Sequence, residues 1–86
     1  MEKYTVESFK TVEEAEFGIE CFTFQANSLK EQKGLHLETV MGSIATKEQK
    51  EKAQKIIAEL NGIISIHEEN SSNAWTALLE LKREGK

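Results

Sequence analysis

Eighty-six residues, 9.7 kDa in all, leave room for one domain around one small core and not for two. Apolar residues make up 38% and charged ones 30%, which suits a folded globular domain and excludes a chain disordered throughout. The net charge is −4 and every acid is Glu; residues 1–45 hold four Lys against eight Glu, so no basic stripe is available to a phosphate backbone and nucleic acid is disfavoured as a partner.

The first segment, Tyr4-Thr5-Val6-Glu7-Ser8-Phe9, is short and rich in β-formers, and it reads as a strand. Thr11-Val12-Glu13-Glu14 then has the form of a capping box and predicts a helix start. Val12, Ala15, Ile19, Phe22, Ala26 and Leu29 follow at spacings of three and four, Lys30 and Lys33 come near the end, and Gly34 supplies a cap. The helix is expected over roughly 12 to 32.

Phe17, Cys21 and Phe24 recur at helical spacing too, on the opposite side. At about 100° per residue the two stripes lie roughly 160° apart, and Glu13, Glu16 and Glu20 line one edge between them. A two-layer domain buries only one such face. Either the second face meets another copy or another protein, or residues 16–24 form a strand, since they are rich in β-formers and partly alternate.

Residues 35–44 read as the next strand, with Gly42 at a point of close backbone approach. Thr46-Lys47-Glu48-Gln49 is a second capping box; Ala53, Ile56, Ile57 and Leu60 make an apolar stripe, and Asn61-Gly62 is expected to stop that helix. Glu48 with Lys52 and Glu51 with Lys55 are favourably oriented surface pairs. Ile63 to His67 reads as a strand, so residues 36–67 predict a β-α-β unit with parallel strands. Residues 69–73 read as a turn. For residues 74–83 the alternation of Trp75, Ala77, Leu79 and Leu81 favours a strand hairpinned to 63–67, against helix-forming composition. Trp75 is expected in the core or the hairpin, with aromatic anchoring of a partner as the second reading.

The expected architecture is therefore an α+β two-layer sandwich, one sheet of about four strands covered by two helices, ferredoxin-like or related. Val40-Met41-Gly42-Ser43-Ile44, with Thr46, Ala53, Gly62-Ile63 and Ile66, is similar to the strand-helix-strand core of BON domains. The likeness spans about a third of the chain, and ACT-like and other ferredoxin-like domains share its grammar. The chain departs from the BON pattern at 29–35, where a charged loop stands in place of a strand. The resemblance would imply phospholipid association.

Chemistry has little to build on. Cys21 is the one cysteine, which rules out an internal disulfide, and no charged-then-apolar leader or long apolar run is visible, so a cytoplasmic location is expected. His36, His67 and Cys21 lack metal-ligand spacing, and no metal or cofactor is predicted. A Ser-His-Asp arrangement is impossible without Asp, no GxSxG occurs, and the five glycines form no phosphate loop. No residue pattern points to catalysis, and apart from that resemblance none points to a membrane, so no membrane partner is expected.

The sequence favours a small acidic non-enzymatic protein-interaction or inhibitor module that self-associates as a homodimer. Its candidate surface is Phe17, Cys21 and Phe24 with Glu13, Glu16 and Glu20, because an apolar patch rimmed by charge marks a contact surface. The Glu edge would also suit a basic partner. The alternative is an ACT-like small-molecule-sensing regulatory domain, resting on the β-α-β grammar alone.

Overall fold

The computed structural model describes residues 2–85 and contains, among them, no strand. A short extended segment carries one 3-10 turn at Val6–Ser8 and leads into two long helices, α1 (Val12–Met41) and α2 (Lys47–Arg83). They run antiparallel, joined by a short loop, and give a rod with Cα extents of 57 × 16 × 13 Å. The α+β sandwich expected from the sequence is thus replaced by a helical hairpin.

The seam explains why. On α1 the positions 12, 15, 19, 22, 26, 29, 33, 36 and 40 recur at alternating steps of three and four. On α2 the positions 53, 57, 60, 64, 67, 71, 74, 78 and 81 do the same, and every residue of both series is buried or half-buried. This is the spacing of a coiled-coil seam, which keeps two long helices in contact along their whole length. Small residues set the closeness: Ala15, Ala26, Ala53, Ala74 and Ala77 are buried. Leu60, Ile64 and Leu78 fill the seam between them.

Both predicted helix starts are present. The Thr11 hydroxyl accepts from the Glu14 amide at 3.1 Å, while the Glu14 carboxylate turns back to the Lys10 amide at 3.2 Å instead of that of Thr11. At α2 the box is complete: Gln49 donates its amide to the Thr46 hydroxyl at 3.1 Å, and its side-chain oxygen accepts from the Thr46 amide at 2.9 Å. The stops are where the sequence misleads. Gly34 and Gly62 lie inside α1 and α2, with nothing near the place a Cβ would occupy. Each costs its helix about 1 kcal/mol relative to Ala, far less than the burial that continues on both sides of it.

The expected strands fall with the stops. Residues 35–44 continue α1 to Met41 and then turn through Gly42 into the loop, while 63–67 and 74–83 belong to α2, as does the expected turn at 69–73. The strand alternative for 16–24 is likewise overturned, since those residues sit in mid-α1. No β-α-β unit forms, so the ferredoxin-like architecture and the similarity to the BON core have no structural counterpart. The two strands that should flank a helix are parts of helices themselves.

The segment at 4–9 is a strap, not a strand. It crosses both helices near their outer end, and α2 holds it by the main chain. Asn70, 1% exposed, accepts the Tyr4 amide at 2.8 Å and donates to the Glu2 carbonyl at 3.2 Å; Asn73 donates to the Tyr4 carbonyl at 2.7 Å. The Tyr4 ring stacks on Phe9 and tilts against Phe22, with centroids 5.9 and 5.0 Å apart. Phe9 is buried over Gly18, where a Cβ would lie 2.6 Å from its ring. That slot exists only because position 18 has no side chain. Burying one Phe contributes about 2–3 kcal/mol, enough to fasten a short strap.

Candidate functional site

The helical reading of 12–32 brings the six predicted surface residues together on the side of α1 turned away from α2. Phe17 is 68% and Phe24 72% exposed, with Cys21 half-buried between them. Glu13, Glu16 and Glu20 are exposed along one edge, and the ion pairs Lys30–Glu68 at 3.0 Å and Lys52–Glu48 at 3.6 Å involve none of them. Helix geometry places these residues with no loop to position them, so the face is as rigid as α1 itself.

The apolar face is longer than the three residues read from the sequence. Glu14, Phe17, Cys21, Phe24, Ser28, Glu31 and Leu35 follow the same alternation of four and three as the filled seam, and Leu35 is also exposed. α1 therefore carries two seams, and α2 fills one. The outer seam is continuous with a cavity of about 350 Å³ beside the strap, whose walls include Tyr4, Phe9, Phe17, Cys21 and Phe22. Four aromatic rings border it, and Gly18 forms part of its floor. The arrangement can accept an apolar or aromatic side chain. It holds no nucleophile poised beside a base.

Sequence reasoning missed two further features. The strap and its asparagines read as a strand and a turn, because Asn and Ser favour turns unless their side chains find partners, as Asn70 and Asn73 do. The second is the exposed apolar set elsewhere. Trp75 and Leu79, one turn apart on α2, are exposed, so Trp75 is not the core or hairpin residue expected. At the far end of the rod Met41 is also exposed, and Ile44 in the loop is 98% exposed.

The histidines are separated by role as well as by helix. His36 lies on α1, whereas His67 is buried in α2 at 6% exposure, its ring 6.1 Å from that of Phe22 and its Nδ1 without a hydrogen-bond partner among the described residues. Burial lowers the His67 pKa below its ordinary 6.5. Among the described residues no group of three or more His, Cys, Asp or Glu is placed to hold a metal ion. No helix among them is long and apolar enough to cross a membrane.

No protein-family model, curated protein or solved structure matches the chain. The function therefore rests on the geometry alone.

Proposed function

We propose that this chain is a non-enzymatic protein-interaction module, a helical hairpin that offers the outer seam of α1 to another helix and self-associates through it. The carrying observation is the exposure of Phe17 and Phe24 at coiled-coil spacing on a helix whose opposite seam is already filled. Phe17, the half-buried Cys21 and Phe24 form one apolar patch over two turns of α1, and an apolar patch rimmed by charge marks a contact surface.

The ACT-like sensing alternative loses its footing, because the β-α-β unit that motivated it is absent.

Sedimentation equilibrium from low to high micromolar concentration tests the proposal, with the Phe17→Ser/Phe24→Ser variant beside the native chain. Both substitutions are at exposed positions, so the variant should keep its helical circular dichroism and lose self-association. If the double variant unfolds outright as a monomer, the two rings belong to the protein's own core and the proposal fails.

A further inference from the structure

We infer that the groove beneath the strap is a binding site for an aromatic, basic peptide segment of another protein, and that residues 2–10 fill it as a displaceable internal ligand. The site is separate from the outer seam of α1 and does not depend on how that seam is used.

The groove reads main chain. Asn70 is 1% exposed, and both ends of its amide go to the strap: the oxygen accepts from the Tyr4 amide at 2.8 Å and the nitrogen donates to the Glu2 carbonyl at 3.2 Å. Asn73 donates to the Tyr4 carbonyl at 2.7 Å. Every residue except proline presents the same amide and carbonyl, so the two asparagines select a backbone and not a particular sequence. Asn70 also demands an occupant, since a buried side-chain amide stripped of its partners is costly. Selectivity comes from Phe9, which enters the slot over Gly18, and from the Tyr4 ring stacked on it at 5.9 Å. Main-chain bonds for affinity and pockets for specificity are the division of labour used when a peptide adds to a sheet edge.

Fit and charge favour a foreign segment over the strap. The turn at Val6–Ser8 buries none of its residues. Cavities flank it, about 350 Å³ beside Ser8 toward Phe17 and Cys21 of α1, and about 200 Å³ beside Glu7 toward Ala77 and Glu80 of α2. A segment with larger side chains at those two positions fills both. The helices around the groove are acidic: residues 11–29 and 69–81 carry Glu13, Glu14, Glu16, Glu20, Glu69 and Glu80 and no Lys or Arg. Of these, Glu14 and Glu80 line the two cavities. The strap sets Glu2 and Glu7 against Lys3 and Lys10 and so brings no net charge to that surface. A basic segment gains where the strap does not.

Two synthetic peptides test this, residues 2–10 as they stand and the same peptide with Glu2→Lys and Glu7→Lys. In the full chain carrying Tyr4→Ala/Phe9→Ala the strap loses its rings while Gly18, Asn70 and Asn73 stay. With helical circular dichroism retained, this variant should bind the native-sequence peptide in fluorescence anisotropy. It should bind the basic peptide about tenfold tighter at low salt, the gain shrinking as salt is added. The unaltered chain should resist the native-sequence peptide, because its own strap competes at an effective concentration on the order of millimolar. The basic peptide should displace that strap, and the Tyr4 amide, released from Asn70, should then exchange faster with solvent. A folded variant that binds neither peptide would overturn the inference, as would equal affinity for the two. So would a basic peptide that binds as well with its own Phe9→Ala, or one that leaves the Tyr4 amide of the unaltered chain protected. Should the variant not fold, that exchange measurement decides alone.

Discussion

His67 is a core residue that stores a pH dependence. Its folded pKa lies below the ordinary 6.5, so the unfolded chain takes up the proton more readily and folding resists protonation. The stability tied to the neutral ring is present in full above pH 6.5 and is lost as pH falls toward the folded value. Urea unfolding at pH 7.5 and 5.5 should show a loss at the lower pH that His67→Leu removes. An unchanged difference in the variant would assign the acid sensitivity to other groups. Asn70 makes a second prediction at this scale. Asn70→Ala strips both main-chain bonds from Glu2 and Tyr4 and should cost about 1–3 kcal/mol, because the strap's part-buried amide and carbonyl lose their partner. Gly18→Ala acts on the same strap from the other helix, driving a methyl into the Phe9 ring. Its expected signature is easier proteolysis at residues 5–10 with the helices intact.

The two long helices show what could be read from the sequence and what could not. Gly34 and Gly62 make the sharpest test, since neither meets anything where a Cβ would stand. Gly34→Ala and Gly62→Ala should each raise stability by up to about 1 kcal/mol, measured by chemical unfolding. A loss at either site would mean that the glycine serves a contact beyond the hairpin. The caps at Thr11 and Thr46 were legible, because a capping box is a local device written in four consecutive residues. So was the two-faced character of 12–32, from which the Phe17, Cys21 and Phe24 surface follows. The course of α2 was not. Its seam passes through His67 and Ser71, two polar residues that break the apolar pattern just where Ile63, Ile64 and Ile66 suggest a strand. β-branched residues lose only tenths of a kcal/mol in a helix, so tertiary contact with α1 overrides that preference. Polar partners account for the rest of the break, with Asn70 and Asn73 gripping the strap and Ser71 bonding the Thr23 hydroxyl at 3.1 Å. Spacing was the usable signal. Allowing small and polar residues at seam positions extends the three-and-four alternation from Ala53 unbroken to Leu81.

Across the whole molecule the decisive fact is slenderness. A rod two helices thick buries few large side chains, and its buried apolar residues are mostly alanines. Its stability should therefore depend on concentration if the outer seam of α1 binds a second copy, since association favours the folded state by mass action. The thermal midpoint should rise over a hundredfold increase in protein concentration, and the Phe17→Ser/Phe24→Ser variant should lose that rise. Salt discriminates among partners on the same face. A basic foreign helix drawn by Glu13, Glu16 and Glu20 would dissociate as ionic strength increases, whereas a dimer of two acidic copies would hold or tighten.

The strap thickens the rod at one end only. There Tyr4 and Phe9 lie over the helices and the core holds Ala15, Ala74, Ala77 and Leu78. Toward the loop, the seam has no third layer and Ile44 stands fully in water. Opening should therefore be directional, like tweezers hinged at the strapped end, with brief parting of the tips far more frequent than release of the base. Amide hydrogen exchange would record it as a gradient, fastest at residues 36–52 and slowest around 15–22 and 70–78.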